Sequence, residues 1–467
     1  MISSGFGASL QTFKSKTLLI LIMLHKRINK FIKNPKKALF TLAAPTIIAM
    51  LVQTMYNIVD TAFVGRLGAD SIAALTFSFP LFFILIALNS GVAVGMGSRI
   101  SRFLGAKQHK AAENAAIHGL FISICLAALI FIIGTMSLKP LFNIFGATET
   151  VAGLAISYMS IILIGVFFML PSFAMHNIFT AQGDTKTPMK IQVTVLLLNI
   201  ILDPIFIYVL GYGVKGAAIA TVISFAVGLT LYSFNIRKRS HLHIGLSSFN
   251  FSPKIIKDIL LVGIPASITM IFMSVYLIFI NKFAAHFGTE YVASIGIAAR
   301  LESISIMPIV AISLATLTLI GMFYGAKRYD LIKSIVSYTI KISVAFTSLI
   351  GLIFFLLPSI FLRIFTSDQQ LINIGSAYLR IEVFTFPLFA IVLIVSRSMQ
   401  GMGRGSPGLI INLIRIFFIA VPLAYIFIYL LDYGFLSIAV AMVIGALVSA
   451  VIATIWIIKI LRRIHAI

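Results

Sequence analysis

Gln53, Tyr56, Asn57 and Asp60 recur three and four residues apart along Pro45–Gly65, a run that is otherwise apolar and long enough to cross a bilayer. On a helix they form one polar stripe. The stripe must face protein or water, because a carboxylate at mid-membrane costs roughly 2.5 to 3.5 kcal/mol on the insertion scale. A second set follows: Asn199 and Asp203, four apart and so on one helix face, with Pro204 beside them and Thr221 in the next apolar segment. Pro204 has no N–H, which leaves a carbonyl in the preceding turn without its usual donor. Two carboxylates, an amide oxygen, a hydroxyl and a spare carbonyl are ligands suited to a hard cation such as Na+, and two acids are equally a place to hold protons. Asp60, Asn199, Asp203 and Thr221 are therefore the candidate cation or proton site, with Gln53, Tyr56 and Asn57 lining it.

The second half of the chain carries a different inventory: Lys282, Arg300, Glu302, Glu382, Arg397 and Arg415. Arg300 and Glu302 are two apart and point to different faces of a helix. Arg397 lies near a segment end, from which a long side chain reaches the interface. Arg300, Glu302 and Arg415 are candidate polar contacts, to one another, to Glu382 or to an anionic group of a substrate. Enzyme chemistry finds no footing. Gly401–Gly408 is glycine-rich but lacks the Gly-Lys-Ser/Thr ending and the preceding strand of a phosphate loop. The eight histidines do not cluster, so no catalytic set, resident metal or cofactor is expected. Cys125 is the lone cysteine, which excludes an internal disulfide, and is expected to pack inside a helix.

The elements that hold these residues follow from composition. The 467 residues are 60% hydrophobic and 10% charged with mean hydropathy +1.09, which no soluble domain matches. Apolar segments of about 20 or more residues fall near 38–64, 70–100, 112–136, 149–178, 188–211, 214–236, 254–285, 291–322, 331–357, 371–399, 407–430 and 434–460. The net charge of +23 does not make a nucleic-acid face, because the basic residues fall in alternate loops: Lys26–Lys37, Arg99–Lys110, Lys186–Lys190, Arg237–Arg239, Lys327–Arg328, Arg404 and Lys459–Arg463. The positive-inside rule then places both termini in the cytoplasm, as an even number of spans requires. At 1.5 Å per residue, Asp60 lies about 8 Å, Thr221 about 11 Å, Asp203 about 12 Å and Asn199 about 18 Å below the outer ends of their helices. Thr17–Leu24 is too short to span and lacks a cleavage site; it is expected to lie along the membrane surface, unless translation starts at Met23.

The chain also repeats itself. Shifted by 220, Thr41–Asp330 aligns without a gap: Pro45 meets Pro265, Tyr56 meets Tyr276, Gly68 meets Gly288 and Gly105 meets Gly325. Further on, Gln182-Gly183 aligns with Gln400-Gly401, Pro204 with Pro422, and Tyr212-Gly213 with Tyr433-Gly434. On this alignment Asp60 faces Ile280, Asp203 faces Val421 and Thr221 faces Met442, so the fold of one half does not need the acids. The expected architecture is an all-α polytopic membrane protein of twelve transmembrane helices, in two six-helix lobes related by a pseudo-two-fold along the membrane normal. The divisions are 1–37, a cytoplasmic N-terminal segment; 38–236, the N-lobe; 237–253, a cytoplasmic linker; and 254–467, the C-lobe.

The Pro45–Asp60 stretch, the Gln182-Gly183-Asp184 and Gln400-Gly401 turns, Asn199 and Asp203 with Pro204, and the doubled six-helix repeat together resemble the multidrug and toxic compound extrusion family, from about Lys36 to Arg463. Acids in the first and fifth helices, with none in the seventh, resemble its DinF-like branch. The resemblance implies an antiporter that exports organic solutes against inward Na+ or H+. It implies coupling at Asp60, Asn199, Asp203 and Thr221, with Gln53 and Tyr56 nearby, and a first helix that bends at Pro45 as a switch.

The function expected from these readings is export of amphipathic, cationic organic compounds from the cell, by a monomer in the plasma membrane without cofactor or nucleic-acid partner. A flippase or exporter of lipid-linked or anionic metabolites is the alternative. It calls for a strongly basic cavity, whereas the first lobe is acidic.

Overall fold

The computed structural model describes residues 26–144, 148–242, 244–245 and 249–465; the proposed surface segment Thr17–Leu24 lies outside them. Among the described residues there is no strand, and eleven helices are long and apolar enough to cross a membrane. They are α1 (Pro35–Gly65), α2 (Ala69–Gly105), α3 (His109–Phe142), α4 (Glu149–Ala181), α5 (Lys186–Val209), α6 (Gly213–Arg239), α7 (Pro253–Ala285), α8 (Thr289–Gly325), α9 (Tyr329–Leu356), α11 (Ser406–Leu430) and α12 (Ser437–Ile464). The twelfth, α10, is a pair of helices, Gln369–Glu382 and Thr385–Gly401, bent by 49° at a short break. The expected segments are thus present as helices in the expected order. All-helical structure follows from the solvent: lipid offers no hydrogen-bond partner, so each span closes its own backbone bonds. Large apolar side chains such as Met55, Ile58, Val209 and Phe418 are exposed on the helix surfaces, where lipid rather than water is their natural neighbour. Cys125 is exposed on α3 rather than packed inside, a correction to its sequence reading.

α1 starts with Pro35 in its first turn, where a missing N–H costs nothing. It runs unbroken through Pro45, which is buried. The Thr41 carbonyl, one turn before Pro45, cannot receive the usual backbone bond.

Backbone hydrogen bonds correct the register of the repeat in two places. The turn after α4 bonds Gly183 N–H to Thr180 O and Asp184 N–H to Phe179 O, with Gly183 at φ +78°. The turn after α10 bonds Gly403 N–H to Gln400 O and Arg404 N–H to Met399 O, with Gly403 at φ +85°. Gly183 therefore corresponds to Gly403, and Gln182 to Met402, not to Gln400. Further on, α5 and α11 close with π turns of nearly the same sequence, Ile205–Val209 and Ile426–Leu430. In each, the N–H of the next leucine, Leu210 or Leu431, bonds back to the first isoleucine. The offset has grown by one residue, and α11 contains a further π turn, Ile414–Ala420, that α5 lacks. A π turn is how a helix absorbs one extra residue. Asp203 thus corresponds to buried Ala424, not to Val421, and Pro204 to Tyr425. Thr221 still meets Met442, and neither acid has a counterpart.

Packing groups the chain into two units that interleave along the sequence. The first takes the described residues up to Phe79, then Arg99–Ile256 and Gly321–Lys327; the second takes Pro80–Ser98, Lys257–Ile320 and Arg328 onward. Within the second, α2 and α7 touch backbone to backbone. A Cβ on Gly91 would lie 2.6 Å from the Gly263 carbonyl oxygen, so only glycine permits this approach.

Candidate functional site

In the first unit, α1, α4, α5 and α6 bring their polar side chains together. Asp203, on α5, is 0% exposed, and Asn199, one turn earlier, donates from Nδ2 to its Oδ1 at 3.3 Å. The Asp60 carboxylate on α1 lies in hydrogen-bonding contact with that of Asp203. The Tyr56 hydroxyl, one turn before Asp60, meets Thr221 on α6, which is itself buried. Tyr158 on α4 is half-buried beside the same groups, close enough to feel both carboxylates. Of the expected site residues, Asp60, Asn199, Asp203, Thr221 and Tyr56 therefore gather in one place.

Gln53 and Asn57 sit apart from this core on the same stripe. Gln53 accepts at Oε1 from Gln192 Nε2 (3.3 Å), and donates from Nε2 to Asn57 Oδ1 (3.2 Å); Asn57 is exposed. Tyr208, in the α5 π turn, donates its hydroxyl to the Phe63 carbonyl near the end of α1. α1 is thus tied to α5 on either side of the acids.

Two carboxylates in contact repel each other unless a proton or a cation lies between them. Among the described residues, Asp203 Oδ2 and Asn199 Oδ1 are buried without a hydrogen-bond partner. Carboxylate, amide and hydroxyl oxygens converge here with acceptor capacity to spare. Chemically, such an oxygen set is suited to holding H+ or a hard cation.

The second unit holds another polar cluster. Glu302 on α8 is in hydrogen-bonding contact with Glu382, at the break of α10, and lies close to the Arg415 charge on α11. Arg415 is buried, its guanidinium 5.6 Å from the ring centres of both Tyr276 and Phe389, with Nη2 2.8 Å from Met273 Sδ. Tyr378 reaches Glu382 Oε1 at 3.5 Å. Arg300 stands outside this group and is exposed, as is Lys282. Arg397 donates to Gln400 Oε1 at 3.0 Å.

Tyr158, Gln192 and Tyr208 did not emerge from the sequence. A tyrosine or glutamine in an apolar helix reads as ordinary packing. The repeat held the signal for one of them: at an offset of 220, Tyr56 and Tyr158 meet Tyr276 and Tyr378, and each pair flanks a pair of acids.

Comparison with known proteins agrees with this architecture. The chain is 30% identical to the probable multidrug resistance protein NorM of Thermotoga maritima, over 87% of its own length and 89% of that protein's. It is 26% identical to a FAD transporter of Shewanella oneidensis, over 83% and 87% of the two chains. Its fold superposes with TM-score 0.88 and 33% identity on a MOP superfamily transporter from Pyrococcus furiosus, covering 92% of this chain and 97% of that one. That structure is described as having a binding pocket of reverse polarity that suggests a different function. The MatE family matches residues 45–205 and again 265–426, once in each half of the repeat. The chain belongs to the MatE family of multidrug and toxic compound extrusion transporters.

Proposed function

We propose that the protein is a secondary antiporter of the plasma membrane that exports amphipathic, cationic organic compounds in exchange for H+ or Na+ by alternating access. It works as a monomer with both termini in the cytoplasm. The observation that carries this reading is the contact between the Asp60 and Asp203 carboxylates, braced by Asn199. Uptake of the coupling ion relieves their repulsion and its release restores it, so ion occupancy and the position of α1 against α5 are linked. A ligand shifts such an equilibrium only by its differential affinity for the two states, and a carboxylate pair supplies that difference. Thr221 and Tyr56 complete the oxygen set, Gln53 and Asn57 line the approach, and Pro45 is the point at which α1 bends. The chain acts by binding and moving solutes rather than by catalysis.

One observation favours an anionic cargo instead: Arg415, buried between two aromatic rings, with a hydrogen-bonding site on Nε left unmet. Glu302 and Arg415 then serve as contacts to cargo in the second unit, and Arg300 has no part in them. A FAD transporter among the relatives is consistent with that chemistry, since FAD is an anionic dinucleotide. Everted membrane vesicles separate the readings. Cationic dyes and an anionic dinucleotide are offered under Na+ and proton gradients imposed one at a time. Gradient-driven uptake of a cationic dye supports export of cations. Movement of the dinucleotide alone establishes the second reading, and movement of neither sinks both.

A further inference from the structure

On the basic side of the first unit lies a cavity of about 750 Å³, between the helical residues 26–33 with the start of α1 and the turn from α4 to α5. Its walls carry Lys26, Arg27, Lys30, Lys33, Lys37 and Lys186 against one carboxylate, that of Asp184. Asp184 is engaged by its own turn: Oδ1 accepts from the Lys186 and Thr187 N–H groups, each at 3.1 Å, and Oδ2 from the Thr187 hydroxyl at 2.8 Å. It caps α5 instead of pairing with a lysine. Among the described residues, none of the five lysines forms an ion pair. Like charges are thus crowded around a hollow whose one lining carboxylate is engaged by its own turn.

A second, independent feature points into the same hollow. Thr185 lines it and is only 9% exposed, yet its Oγ1 has no hydrogen-bond partner. A buried hydroxyl without a partner loses the solvation it would have in water. The floor is built for a close fit: Gly183, at φ +78°, turns the chain under Phe31, whose ring would lie 2.5 Å from any added Cβ. Residues 1–25 contain no Asp or Glu, so that segment brings no carboxylate to fill the site.

We propose that this cavity binds the phosphate of an anionic phospholipid headgroup, with the lysines supplying charge and the Thr185 hydroxyl donating to a phosphate oxygen. Clusters of four to eight basic residues beside a membrane-spanning helix recognise anionic lipid in this way. The volume falls within the range of small-ligand sites, roughly 300 to 1,000 Å³, and suits a headgroup rather than an acyl chain. The bound lipid ties the residues before α1 to the α4–α5 turn. The proposal does not rest on the antiport reading and can hold whatever the cargo is.

The test uses the purified full-length chain in a neutral detergent, with lipid binding counted by native mass spectrometry and stability followed by thermal melting. Phosphatidylglycerol should bind at least tenfold more tightly than phosphatidylcholine and raise the melting temperature. The double variant Lys30→Gln/Lys186→Gln should lose most of that preference, at roughly fivefold per cation removed. Thr185→Val, which keeps the side chain's shape, should weaken phosphatidylglycerol binding several-fold and leave phosphatidylcholine binding unchanged. Arg237→Gln/Lys238→Gln, on the basic end of α6, should behave as wild type. The proposal is overturned if the two basic pairs matter equally, or if neither cavity variant alters lipid preference. It is also overturned if inorganic phosphate or glycerol 3-phosphate displaces the lipid at equal concentration, since the occupant is then a soluble phosphate.

Discussion

At the scale of single residues, the acids of the first unit are costly to bury and structurally dispensable. The second half of the repeat folds with Ile280 and Ala424 in their places, both buried. Asp60→Asn and Asp203→Asn keep side-chain shape, so each variant is expected to stay folded with stability within about 1 kcal/mol of wild type. Thermal melts of the purified variants check this, and a collapse of either would mean that the acids hold the fold. A separate prediction concerns His241, just past α6, whose backbone N–H donates to Gln182 Oε1 at 2.7 Å. Burial first, and the Arg27 charge second, hold its imidazole down at about 4, against the opposing pull of Asp184. An unfolded chain takes up that proton near about 6.5, so it binds more protons than the folded one between those values. Stability is therefore lost as pH falls from about 6.5 toward 4. The melting temperature should drop more steeply from pH 7 to pH 5 for wild type than for His241→Gln; parallel slopes would contradict the assignment.

At the scale of elements, α1 carries both the acid and the weak point. Asp60 lies fifteen residues beyond Pro45, about 22 Å along the helix, so a small bend at the proline becomes a large displacement at the carboxylate. Pro45→Ala supplies the missing N–H and favours the straight helix. Substrate binding should survive in this variant, while turnover falls several-fold and depends less on the ion gradient. Pro265→Ala, its partner in the repeat, should leave coupling intact; the reverse pattern in a transport assay would move the switch to α7. The existence and order of the spans were legible in the sequence, because a bilayer demands long apolar runs. The π turns were not, because they depend on which carbonyl each N–H chooses. That choice hid in two sequence-similar stretches, Ile205–Val209 and Ile426–Leu430, and drew the alignment of Asp203 to the wrong partner. Asp60, Asn199 and Asp203 were legible because acids and amides are conspicuous in apolar helices. Tyr158 was not, since a tyrosine that only packs and one that stands near carboxylates read alike.

At the scale of the whole molecule, basic residues in alternate loops imply that the segment joining α6 to α7 is cytoplasmic. In a Cys125→Ala background, a single cysteine replacing Arg237 or Ser252 should react with an impermeant maleimide in everted vesicles and not in intact cells. Labelling from outside would invert the topology. The central claim is that one ion, held between Asp60 and Asp203, drives export. Its most direct measurement is ion movement set off by substrate in proteoliposomes, with wild type and Asp203→Asn compared at equal reconstitution. A substrate gradient alone should drive H+ or Na+ across the membrane in wild type, and move none above background in Asp203→Asn although the variant still binds substrate. Equal ion movement in the two would place the coupling site elsewhere.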